Sequence, residues 1–133
     1  PTIWYLVGAD ALDRGDDSPA WEAWHGSLQL GPTHLPEIVR RAGERLPPEA
    51  VRDRVLPPDP RQLLTAADEL PAGRAVFLRR AADLGDRPGS TVAELTPAAL
   101  AHERLDDPTG ADAAWRRAVE LAPADYRAQY LLG

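Results

Sequence analysis

The sequence contains no cysteine, lysine, asparagine or methionine. Without cysteine there is no disulfide framework, no thiolate nucleophile and no cysteine-ligated zinc. Strand signals are nearly missing too. Valine, isoleucine and threonine are sparse and never alternate with polar residues over a bounded run, so nothing predicts a sheet. No apolar run approaches the roughly 18–20 residues that a membrane-spanning helix needs. The opening stretch, PTIWYLVGAD, has neither a basic region nor a cleavage site, so no signal peptide is read there, and the compartment stays open.

Alanine, leucine, arginine and glutamate dominate, and these are strong helix formers. At 133 residues, with 44% hydrophobic and 27% charged residues, the chain can bury a core but is too short for two full enzyme domains. All 15 basic residues are arginine, in the manner of a GC-rich genome, and they are scattered along the chain. Set against 21 acidic residues they leave a net charge of −6, which repels a phosphate backbone, so no nucleic-acid partner is expected. The pairs Arg40-Arg41, Arg79-Arg80 and Arg116-Arg117 read as solvated helix faces that pair with Asp and Glu.

Fourteen prolines punctuate the helical pattern. Proline inside a helix costs about 3 kcal/mol but is tolerated in the first turn, so its positions mark helix boundaries. On that basis the chain divides into about eight short helices joined by short connections, which favours antiparallel neighbours. The first spans 2–14 and stops at Gly15. The second is capped by Ser18, carries Pro19 in its first turn and runs to Leu30. Others cover 35–45 and 48–55. Asp59-Pro60 opens the next, with Gln62 placed to close a capping box and Pro71 ending it, and another spans 72–84. After the loop 85–91 (GDRPGST), Thr96-Pro97 starts a helix that reaches Leu105. Thr109 caps one that ends before Pro123, and Asp125 begins a last helix that is cut at Gly133. The missing starting Met and this cut read as a fragment of a longer chain.

Two of these helical pairs share a pattern. The second helix carries Ala20-x3-Trp24-x2-Ser27-x4-Pro32, and the last full helix carries Ala111-x3-Trp115-x2-Ala118-x4-Pro123. The first helix adds Trp4-x2-Val7-Gly8, and Leu132-Gly133 stands in the same register near the end. These residues resemble the tetratricopeptide repeat (TPR), whose period is 34 residues and whose signature is a Trp, a Leu-Gly pair, a later Ala, an aromatic and a closing Pro. The resemblance covers 1–34 and 97–133. The two units are 91 residues apart, from Ala20 to Ala111, which is not a multiple of the period, so the middle departs from the pattern.

The resemblance implies an all-α protein, a short α-solenoid of antiparallel helical hairpins. Its units would be about 1–34, 35–58, 59–91, 92–125 and a partial 126–133, all in one helical-repeat domain. Gly8, Ala20 and Ala111 would let paired helices approach, while Trp24 and Trp115 would fill the wedge towards the next pair. The implied role is a protein–protein interaction scaffold that holds a peptide or partner helix on its concave face. The positions carried over are Thr2, Tyr5, Ala9, Leu12 and Asp13, with Arg127 and Tyr130 on the final helix. Members that clamp a C-terminal carboxylate use Lys and Asn, and both are absent here, so that ligand class is not expected. The second expectation is an accessory segment of a larger bacterial membrane glycan polymerase or ligase, to which arrays of this style are similar.

No motif predicts chemistry. His25, His34 and His102 are dispersed, lack metal-ligand spacing and read as exposed or interface residues. Asp10, Asp13, Asp16 and Asp17 lack the spacing of a calcium loop and read as a solvated turn, as do Asp106-Asp107. Asp68-Glu69 has no glycosidase surroundings, and Ser18, Ser27 and Ser90 lie in no nucleophile elbow. Neither an enzyme, nor a metal, nor a cofactor is expected.

Overall fold

In the computed structural model, which describes residues 2–122, the helix starts show how the sequence sets the fold. Eight α-helices follow one another, and no strand occurs among the described residues. They are α1 (Thr2–Asp13), α2 (Asp17–Leu30), α3 (Leu35–Gly43), α4 (Pro48–Ala50), α5 (Pro60–Glu69), α6 (Arg74–Gly85), α7 (Val92–Arg104) and α8 (Pro108–Leu121).

Three boundaries differ from the sequence expectation, each for a local reason. The α2 cap is Asp16 rather than Ser18: the Ala20 amide already bonds to the Asp16 carbonyl at 3.2 Å. Pro19 then falls in the first turn, where its missing N–H costs nothing. Helix α7 is capped by Thr91 and begins at Val92, not at Thr96-Pro97, because Thr91-x-x-Glu94 forms a capping box. The Glu94 carboxylate accepts the Thr91 amide at 3.0 Å, and Pro97 is carried inside the helix. Helix α8 is capped by Asp107, whose Oδ1 accepts the Gly110 amide at 3.0 Å, with Pro108 next to it in the first turn. Thr91→Ala is expected to cost about 1 kcal/mol, read as a lower urea midpoint at unchanged slope.

The stretch 48–55 also departs from a plain α-helix. After α4 the chain widens into a π-helical turn over Val51–Val55, closed by the Leu56 amide on the Val51 carbonyl at 3.0 Å. Both valines are buried, and the Val55 carbonyl bonds to His25 Nδ1 at 3.1 Å. A short 3₁₀ turn (Pro71–Gly73) likewise precedes α6.

The chain forms two compact units, and the division falls within α5 and α6. One holds the residues up to Pro57 together with Thr65–Val76; the other holds Pro58–Leu64 and the chain from Phe77 onward. In the first, α1 and α2 form an antiparallel hairpin. Trp4 lies by Gly26, Gly8 faces Trp24, and the turn is closed by the Asp16 amide on the Ala11 carbonyl at 2.8 Å. Helix α3 buries Leu35, Ile38, Val39 and Ala42, a period of three and four that puts one apolar side inward. In the second unit, α7 and α8 form the matching hairpin around Leu95, Ala99, Ala114, Trp115 and Ala118, with Leu100 and Val119 at its margin.

Candidate functional site

Helix α1 opens with eight residues, Thr2 to Ala9, that carry no charge. A helix apolar on all sides is ordinarily buried on all sides. Only one side of α1 is: Gly8, Ala11 and Leu12 face inward. Gly8 is required because a methyl there would run into the Trp24 indole, which is itself fully buried and donates Nε1–H to the Tyr5 carbonyl at 3.0 Å.

The second side of α1 meets the turn after α2 and helix α3. Tyr5 stacks on His34, with ring centroids 4.3 Å apart and planes inclined by 12°, and the stack continues toward Trp24 at 6.1 Å. Thr2 Oγ1 lies 3.2 Å from His34 Nε2. Asp13 pairs with Arg41 at 3.2 Å, and that guanidinium sits 5.5 Å over the Trp24 ring. Asp13 is largely exposed, so this ion pair contributes at most about 1 kcal/mol. Four of the residues carried over as partner contacts, Thr2, Tyr5, Ala9 and Asp13, therefore lie at or near the surface, three of them touching a neighbouring element. Leu12 is buried, and Arg127 and Tyr130 lie outside the described residues.

The third side is exposed and apolar. Ile3, Leu6 and Val7 are 75%, 59% and 46% exposed, and Trp4 beside them is 48% exposed. Asp10 continues the strip and pairs with Arg14 one turn on, at 3.5 Å. Ile3 and Leu6 were not singled out from sequence. The signal that could have found them is the lack of charge in Thr2–Ala9, but a run without charged residues has no clear phase, so it does not say which side turns outward. Chemically the strip offers apolar contact edged by the Thr2 hydroxyl and the Asp13 carboxylate.

The repeat-signature residues fall into three groups. Ala20, Trp24, Ala111, Trp115 and Ala118 are buried, as is Ser27 opposite Ala118 in the alignment; Gly8 faces Trp24. Trp4 and Val7 are half-exposed, and Pro32 follows the end of α2. Pro123, Leu132 and Gly133 lie outside the described residues. Trp24 touches its own hairpin and also α3, whose Arg41 guanidinium lies over the ring. It sits over Gly8 of α1, because only that glycine leaves room for an indole.

A second group of polar residues, unexpected from sequence, surrounds His102. This histidine is 3% exposed rather than at the surface, with a carboxylate on each ring nitrogen: Asp107 Oδ2 at 2.8 Å from Nδ1 and Asp86 Oδ1 at 3.3 Å from Nε2. The Gly110 amide and the His102 ring hold the Asp107 carboxyl below the usual carboxylate range. Asp107 is thus a cap with a buried partner, not merely a solvated turn residue.

Among the described residues, no helix is long and apolar enough to cross a membrane, and no group of three or more His, Asp or Glu side chains is placed to hold a metal ion. No family model, curated protein or solved structure matches this chain.

Proposed function

We propose that this chain is a TPR-like module of an α-solenoid that binds a peptide or helix of another polypeptide along α1. The observation that carries the reading is the exposed strip Ile3, Leu6 and Val7, edged by Thr2 and Asp13. Apolar side chains gathered on one exposed helix side mark interaction surfaces. An amphipathic helix or extended peptide laid there buries them, while its polar groups reach the hydroxyl and carboxylate edge. The correspondence of the two hairpins supports the repeat reading. In each, a small residue, a tryptophan and a second small residue occupy buried positions at the same spacing: Ala20, Trp24 and Ser27 in one, Ala111, Trp115 and Ala118 in the other.

The test is capture from a lysate of the source organism with the folded chain and a Leu6→Glu variant side by side. The captured polypeptide is then trimmed to its binding segment and titrated by the chain's tryptophan fluorescence, to which the half-exposed Trp4 contributes. Leu6 is exposed, so the variant keeps its fold. Binding at least about tenfold weaker than for the native chain, some 1.4 kcal/mol, is the expected result. Equal affinity of the two proteins excludes α1 as the contact surface.

A further inference from the structure

A neutral imidazole has one N–H and one lone pair, so it can donate to one carboxylate only. His102 has a carboxylate at each nitrogen and almost no access to water. We infer that His102 works as a pH-operated clamp: as the imidazolium it donates Nδ1–H to Asp107 and Nε2–H to Asp86, tying the end of α6 to the cap of α8, and on losing a proton it releases Asp86.

The surroundings set which bond is kept. Asp107 is the nearer partner, and its other oxygen is engaged by the Gly110 amide. A methyl at Gly110 would collide with both the Asp107 carboxylate and the His102 ring, so the glycine shapes this seat. The backbone reinforces it: Asp106 is left-handed, at φ 58°, and turns the Asp107 amide onto the His102 carbonyl at 2.8 Å. Asp86 is the farther partner and the more exposed carboxylate, so it is the one released.

The other charged groups are placed as follows. From α6, Arg79 acts favourably on the ionised Asp107. From α8, Arg117 donates to the carbonyls on either side of Asp86, Gly85 at 2.8 Å and Arg87 at 3.0 Å. On α7 itself, Glu103 is engaged by Trp115 Nε1–H at 3.1 Å. Once Asp86 is free, the turn 86–91 keeps the Arg117 contacts, the bonds of Ser90 Oγ to Leu84 and Arg87, the Asp86 and Ser90 amide bonds to Ala82 and Arg87, and the Thr91–Glu94 cap, but no side-chain tie from Asp86 to α7. The clamp also has an acid limit. Asp107 is held below the ordinary carboxylate range, so its contribution is complete above that range and is lost only as pH falls through its lowered value.

The test is long-range proton–nitrogen correlation spectroscopy of the ¹⁵N-labelled chain between roughly pH 5 and 8, with His102→Gln to assign the signal among three histidines. Both His102 ring nitrogens are expected to carry protons at the acid end. As pH rises, Nε2 loses its proton while Nδ1 keeps it, the reverse of the tautomer a free imidazole favours. Over the same range, amide protection at 86–91, corrected for intrinsic exchange, falls several-fold. In Asp86→Asn the side-chain amide can serve either state of Nε2, so this step in protection disappears. An Nε2–H tautomer, a ring that never holds two protons while the chain is folded, or an unchanged step in Asp86→Asn each overturns the clamp.

Discussion

Trp24→Ala is expected to lower the unfolding free energy by about 3–5 kcal/mol, a large part of the roughly 5–15 kcal/mol that holds a domain of this size. Trp24 is fully buried, and its ring lies over Gly8, beside Trp21 at 5.7 Å and under the Arg41 guanidinium. Removing the indole opens a void bounded by helices on both sides. The backbone of α1 cannot drop into it without breaking its own ladder, so the cavity term adds to the lost transfer energy. Trp115→Ala should cost about as much, because Trp115 is the one large ring among Leu95, Ala99, Ala114 and Ala118. Urea unfolding followed by far-ultraviolet circular dichroism measures both. Stability within about 1 kcal/mol of the parent in both variants means that the cores lie elsewhere.

The second large effect is expected at Gly85. A methyl group there would run into the Ala98 side chain, with the Ala98 Cα only 3.6 Å away. This is the point of close approach between the end of α6 and α7. The obstacle is a methyl on a helix backbone rather than the tip of a flexible chain, so nothing can rotate aside. Gly85→Ala should therefore destabilise by about 2–3 kcal/mol, at the upper end of overpacking costs. Adding Ala98→Gly removes the opposing methyl. The double variant should regain most of that loss, less about 1 kcal/mol for a glycine within a helix. If the single variant unfolds at the parent's temperature, the approach is looser than the geometry requires. If the double variant is no better than the single, the loss comes from the Gly85 backbone and not from the contact.

Much of the secondary structure was legible, though its details were not. Proline as punctuation placed the helices but misled at Pro97, where the capping box Thr91-x-x-Glu94 starts α7 earlier. A cap of about 1 kcal/mol does not by itself offset an internal proline, so the burial of Leu95, Ala98 and Ala99 beside it holds the helix together. The same reasoning put the α8 cap at Thr109, two residues late, because Asp107 competes for that role once Pro108 follows it. The π-helical turn at Val51–Val55 left no mark in the sequence, since apolar residues four apart read as an ordinary helix.

The sequence by itself determined the all-helical class and the short hairpins in which Trp24 and Trp115 are buried. Composition and proline placement act locally, so they can be read one residue after another. Tertiary structure alone decided which side of α1 is covered, because Thr2–Ala9 has no charged residue to fix the phase, and Trp24 seated over Gly8 does so. It also decided the fate of His102. Asp107 is near it in sequence, but Asp86 is 16 residues away, just past the end of another helix. Burial comes from packing, and packing is what turned an isolated histidine into one held between two carboxylates.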